Sequence, residues 1–155
     1  MPVKPKIFGV DGNWILHRVF HTTTYETVDK GRAIAYNFLS RVCLDAIAVR
    51  ATHLLVAFDG SSVFRYDLFP EYKGQRGDNS EVYAFLPEVK KLLKAAGITV
   101  VHRKKFESDD VLRSLASAYP ANIASVVMGT RDKDAYQGLR EGVQLYDSSY
   151  RVKGE

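Results

Sequence analysis

Lys6-Ile7-Phe8-Gly9-Val10-Asp11-Gly12 is the stretch on which the fold turns. Its apolar residues run together instead of alternating, the pattern of a strand covered on both faces, and an Asp-Gly pair ends it. Strands of that kind belong to parallel sheets, whose members are joined by long crossovers, so the rest of the chain should alternate short apolar runs with amphipathic helices. It does. His53-Leu54-Leu55-Val56-Ala57-Phe58, Ile98-Thr99-Val100-Val101 and Ile123-Ala124-Ser125-Val126-Val127-Met128 read as further buried strands, and Val143-Gln144-Leu145-Tyr146 as a weaker fifth. Helical spacing covers about 31 to 51, with Ile34, Phe38, Val42 and Ala46 on one stripe, then 80 to 96, 108 to 118 and 132 to 140. Pro87 predicts a kink or a fresh helix start at that point. The fold class expected is α/β, a mostly parallel five-stranded sheet with helices on both faces.

A length of 155 residues fits one domain, 1–155, and suffices to bury a core. Fractions of 46% hydrophobic and 26% charged residues exclude long disorder and fibrous architecture. With a single cysteine, Cys43, there is no internal disulfide and no thiolate zinc site, which points to a reducing compartment. No stretch approaches the roughly 20 apolar residues of a membrane helix, and Met1-Pro2-Val3-Lys4 leads directly into the first strand, so the expectation is a cytoplasmic protein with no membrane partner. Lys and Arg number 22 against 18 Asp and Glu, a mild pointer to a polyanionic partner.

Ser61 to Asn79 fits neither period. Phe64, Arg65, Tyr66, Phe69, Tyr72, Lys73 and Arg76 interleave aromatic and basic character over a length unusual for a strand-to-helix connection. Excursions of that kind inside a compact domain tend to carry function.

Ligands of open parallel sheets bind beyond the carboxyl ends of the strands. After the first strand comes Asp11-Gly12, after the second Asp59-Gly60, after the third Glu107-Ser108-Asp109-Asp110, and after the fourth Thr130-Arg131-Asp132-Lys133-Asp134. Each alone has an ordinary structural explanation: Asp-Gly is turn chemistry, Ser-Asp-Asp complements a helix dipole, and Thr130 can cap a helix. Together, Asp11, Asp59, Glu107, Asp109, Asp110, Asp132 and Asp134 would repel one another and raise their own pKa values, a cost that divalent cations would neutralise. All-oxygen ligation selects a hard ion, Mg²⁺ or Mn²⁺. With those seven acids set aside, 11 Asp and Glu remain against 22 Lys and Arg. An acidic metal pocket within a basic surface suits a nucleic-acid phosphodiesterase.

Several spaced segments resemble, in order, the 5′ nuclease family of flap endonucleases and the 5′-3′ exonuclease domains of bacterial family A DNA polymerases. They are Val10-Asp11-Gly12 followed by Leu16 and Arg18, Ala57-Phe58-Asp59-Gly60 followed by Phe64-Arg65 and Pro70-Glu71-Tyr72-Lys73-Gly74-Gln75-Arg76, then Glu107-Ser108-Asp109-Asp110-Val111 and Asp132-Lys133-Asp134. The resemblance implies a PIN-like core with a helical arch over about 61–87. It implies hydrolysis of 5′-ended, flapped or branched DNA, in replication and repair, with Mg²⁺ (Mn²⁺ able to substitute), two ions filling a complete site. Asp11, Asp59, Lys73 and Arg76 would then be catalytic, Arg18, Arg65, Tyr72, Lys73 and Arg76 would touch DNA, and the seven acids would hold metal. A bacterial or phage member would be nucleoid-associated.

This sequence departs from the family pattern at three places. The family's Glu-Ala-Asp-Asp has Ser108 at its second position, a minor change at face value. Gly-Asp-Lys-Asp becomes Gly129-Thr130-Arg131-Asp132-Lys133-Asp134, a small insertion that keeps both acids. The sequence also stops at Glu155, where the family continues into a helix-hairpin-helix module, so the expectation for these 155 residues is weak, salt-sensitive DNA binding, slow catalysis and a separate C-terminal module as partner. Competing functions are a non-cleaving branched-nucleic-acid-binding module or half of a split nuclease, an acidic-pocket single-strand ribonuclease, and a phospho-acceptor receiver domain. His17 and His21 have zinc-compatible spacing but no intervening glutamate, and Trp14 and Cys43 read as packing residues.

Overall fold

The computed structural model describes residues 3–24, 29–60, 67–71 and 77–147. Five strands, β1 (Lys6–Asp11), β2 (His53–Phe58), β3 (Thr99–His102), β4 (Ser125–Gly129) and β5 (Val143–Tyr146), form one sheet in the order β3-β2-β1-β4-β5. Every neighbouring pair is parallel. The register sets Asp11 beside Ala57 and Val10 beside Gly129, so the carboxyl ends of β1, β2 and β4 lie level.

Apolar residues on both sides of each central strand require cover on both faces, and two cores supply it. Phe8, Val10, Val56, Phe58 and Val127 pack with α1 (Gly12–Thr22), α2 (Lys30–Ala48), α3 (Ser80–Tyr83) and α4 (Leu86–Ala95). Val126, Met128 and Val143 pack on the other face with Leu112 and Ala116 of α5 (Ser108–Ala118) and Ala135 of a 3₁₀ helix, Lys133–Gly138. Gly9 alternates onto this second face, where a Cβ would lie 2.7 and 2.8 Å from the Leu115 and Leu112 side chains; its lack of a side chain lets α5 approach β1. In α2 the expected stripe is buried at Ile34, Phe38 and Val42, and Asp29 caps the helix by accepting the Arg32 N–H at 3.1 Å.

Local boundaries move for identifiable reasons. Ile123 is 56% exposed in a turn closed by backbone bonds to Pro120, so β4 starts at Ser125. The helix expected over 80 to 96 divides into α3 and α4, with Pro87 in the first turn of α4, where its missing N–H costs nothing. The 132 to 140 pattern is a short 3₁₀ helix. From Asn79 onward the expected arch is packed structure, since Val82 is buried in the first core and Tyr83, Phe85 and Leu86 pack against it. Among the described residues no helix is long and apolar enough to cross a membrane.

Candidate metal centre

The chain steps outward from β1 to β2 and β3, then returns to place β4 on the opposite side of β1. Such a reversal opens a crevice at the carboxyl edge. A pocket of about 330 Å³ lies there, and Asp11, Asp59, Glu107, Asp109 and Asp132 all line it.

The acids are held by the local structure their own sequence creates. Asp11 caps α1, its Oδ1 accepting the backbone N–H of Asn13 at 3.1 Å and of Trp14 at 3.3 Å. Asp132 caps the 3₁₀ helix, its Oδ1 accepting the Asp134 N–H at 2.9 Å, while Thr130 Oγ1 accepts the Asp132 N–H at 3.1 Å. Glu107 is the N-cap residue of α5, and Asp110 turns back to accept its N–H at 3.0 Å. Carboxylates at helix starts are favoured by the dipole, so the residues that begin these helices also charge the crevice.

Asp59 depends on a close crossing. A Cβ on Gly60 would run into the backbone carbonyl of Arg103, and the Gly60 N–H donates to the Phe106 carbonyl at 2.7 Å. Glycine there lets the 103–107 connection, turned at Lys105 with φ 72°, pass over the end of β2. The result is that the Ser108 N–H donates to Asp59 Oδ1 at 2.7 Å, and the Ser108 hydroxyl to Asp11 Oδ1 at 3.1 Å.

Crowded like charge has the expected electrostatic effect. Burial pushes Asp11 up to about 6, with the charge of Asp59 adding to it, against hydrogen bonds from Trp14, Ser108 and Asn13 that pull it down. Asp109 is raised to about 7, by burial first and then by the charges of Asp11, Asp132, Asp59 and Glu107. Among the described residues no three His, Cys, Asp or Glu side chains stand close enough to chelate one ion unaided. The donor set instead fits a hard cation that takes one or two carboxylates and completes its shell with water or phosphate oxygen. The 8% exposed Asn13 leaves its Nδ2 without a hydrogen-bond partner among the described residues, a donor available to an oxygen entering the pocket.

Of the seven acids read from the sequence, five line the pocket. Asp110 is turned to the Glu107 backbone, and Asp134 is exposed outside the lining. Arg18 stacks 5.7 Å over Trp14 and borders a separate groove with Thr22, Asn37 and Arg41. Arg65, Tyr72, Lys73 and Arg76 lie outside the described residues. Trp14 and His17, read as ordinary, line the pocket, as do Asn13, Asn79, Tyr83, Ser108 and Arg131, which sequence reasoning did not select. The signal for Ser108 was its departure from the family's alanine; Asn79 and Tyr83 carried none.

Residues 6–155 match the family described as 5′-3′ exonuclease, N-terminal resolvase-like domain. DNA polymerase I of Bacillus subtilis (strain 168) is 32% identical over 141 residues, covering 88% of this chain and 16% of that protein. DNA polymerase I of Treponema pallidum (strain Nichols) is 29% identical over 151 residues, covering 94% and 15%. Among solved structures, bacteriophage T5 5′-exonuclease with zinc ions bound superposes with a TM-score of 0.73 at 20% identity, covering 94% of this chain and 56% of that one. The T5 flap endonuclease in a pseudo-enzyme-product complex with DNA and metal ions gives 0.74 at 19%, with the same coverage. The chain thus spans about one sixth of the polymerases and just over half of the phage proteins. On the match across residues 6–155, with the parallel sheet and its acidic crevice in agreement, the chain belongs to the 5′-3′ exonuclease N-terminal domain family.

Proposed function

We propose that this chain is the catalytic core of a 5′-3′ exonuclease or structure-selective flap endonuclease, which hydrolyses phosphodiester bonds of 5′-ended, flapped or branched DNA using Mg²⁺, or Mn²⁺ in its place. The observation that carries this reading is the gathering of five carboxylates from the segments that follow four strands into one crevice, where burial and then neighbouring negative charge raise the pKa of Asp11 and Asp109. Zinc ions are bound to the phage T5 5′-exonuclease of the same fold, and metal ions and DNA to the T5 flap endonuclease.

Asp11, Asp59, Glu107, Asp109 and Asp132 would hold the metal, a pair of ions in the full site. Such ions supply activation of a water and neutralisation of charge developing on the phosphate and leaving oxygen. The chain's own residues prepare the place. The Asp110 carboxylate fixes the backbone of Glu107, and the backbone N–H of Asp134 fixes Asp132 Oδ1, so both contacts act by orientation. Asn13 Nδ2 offers a hydrogen bond to a phosphate oxygen or water. Trp14 and Tyr83 add aromatic surface to the lining of the crevice. By resemblance, Lys73 and Arg76 bring positive charge to the reacting phosphate, and Arg18, Arg65 and Tyr72 contact the DNA.

The test is cleavage of a 5′-labelled flap duplex with Mg²⁺ or Mn²⁺ against an EDTA control, in parallel with Asp59→Asn. Metal-dependent shortening of the labelled strand that Asp59→Asn abolishes supports the reading. Flap binding without cleavage in either ion would assign the chain as a branched-DNA-binding module instead.

A further inference from the structure

Asp11 Oδ1 accepts three hydrogen bonds, from the backbone N–H of Asn13 and of Trp14 and from the Ser108 hydroxyl at 3.1 Å. Three donors saturate a carboxylate oxygen. Among the described residues Oδ2 meets only the Thr130 hydroxyl, at 3.5 Å, the outer limit of a hydrogen bond. Ser108 is 3% exposed and therefore holds its rotamer through packing, and its backbone N–H already binds Asp59 at 2.7 Å. One residue at the start of α5 thus grips two like-charged carboxylates delivered by adjacent strands, 97 and 49 positions away in sequence.

We propose that the Ser108 hydroxyl is a positioning group for metal binding: it fixes the Asp11 carboxylate so that Oδ2 faces the incoming cation, at the spacing from Asp59 that its backbone N–H sets. The inference rests on the metal-dependent reading above and adds to it a residue that holds no metal itself. Partners that orient a metal-binding carboxylate commonly govern affinity by about 10–100-fold. An alanine at 108 keeps the N–H that binds Asp59 and removes only the hydroxyl, leaving Asp11 held by the α1 backbone N–H groups and the long contact from Thr130.

The experiment measures Mn²⁺ and Mg²⁺ dissociation constants by calorimetry, together with the thermal midpoint in EDTA, for the unmodified chain, Ser108→Ala and Ser108→Thr. Ser108→Ala should bind Mn²⁺ about tenfold more weakly, while its midpoint in EDTA moves by no more than the few degrees one hydrogen bond carries. Ser108→Thr, which restores the hydroxyl, should recover most of the affinity; if the added methyl unfolds it, Ser108→Cys, a weaker donor, should fall between Ser108→Ala and the unmodified chain. Unchanged affinity in Ser108→Ala, or a lowered midpoint with unchanged affinity, would overturn the positioning role while leaving the nuclease reading intact. Failure of the unmodified chain to bind either ion would overturn both.

Discussion

The charge of Asp11 is, after burial itself, the largest influence lifting the Asp109 carboxyl to about 7. The end of β1 and the first turn of α5, far apart in sequence, are therefore one electrostatic unit. Both acids hold protons in the native state at pH values where the unfolded chain has released them.

That condition fixes a sign for stability. Between about pH 4 and 7 the native chain binds more protons than the unfolded one, so metal-free stability falls as pH rises through the values of about 6 and about 7. For Asp11 the preference for the protonated form corresponds to about 3 kcal/mol. Thermal denaturation in EDTA should give a higher midpoint at pH 5 than at pH 7.5, and saturating Mg²⁺ should narrow or reverse the difference. A midpoint in EDTA that rises over this range would contradict the charge assignment.

Replacing one of the repelling charges should separate stability from metal binding. Asp109→Asn removes the acid raised by four neighbouring carboxylates, so at pH 8 in EDTA its midpoint should lie a few degrees above that of the unmodified chain. Its rise on adding Mn²⁺ should be smaller. Loss of both stability and metal response would mean that Asp109 packs rather than repels.

Trp14 is the sole tryptophan and lines the pocket. Paramagnetic Mn²⁺ should quench its fluorescence in a saturable way, EDTA should restore it, and Mg²⁺ should compete the quenching away. Emission indifferent to Mn²⁺ would place the ion elsewhere.

Asp45, 2% exposed on α2, is held by Arg41 through two contacts of 3.0 Å and by the Tyr146 hydroxyl at 3.2 Å. Arg41→Ala should destabilise the chain by about 3 kcal/mol, because a buried carboxylate is left without its counter-charge. Urea denaturation measures the loss, and Mn²⁺ affinity should be unchanged, because neither Arg41 nor Asp45 lines the acidic pocket.

Lys73 is assigned through the resemblance. If it brings charge to the reacting phosphate, Lys73→Ala should lower the rate of flap cleavage by a larger factor than it lowers DNA affinity, since charge on the phosphate grows in the transition state. Equal losses in single-turnover cleavage and in binding would make it a plain backbone contact.

The sequence by itself determined the layers and which strands lead into carboxylates. The unbroken apolar run at Phe8 to Val10, the stripe Ile34-Phe38-Val42 and the acids that follow four strands are local patterns of period and residue type, and the physics they invoke acts over a few residues. Proline at 87 announced a kink or a helix start in the same local way, and the structure has the start. The tertiary structure alone decided which acids share the crevice. Asp109 faces it while its neighbour Asp110 caps the Glu107 backbone, because one step along a helix turns a side chain by about 100° and the packing of α5 against Gly9 sets the zero of that rotation. The grip of Ser108 on Asp11 and Asp59 was likewise invisible in sequence. It requires the strand order that sets β2 beside β1 and the crossing at Gly60, and contacts across 97 residues depend on how the whole chain packs rather than on any pattern within a segment.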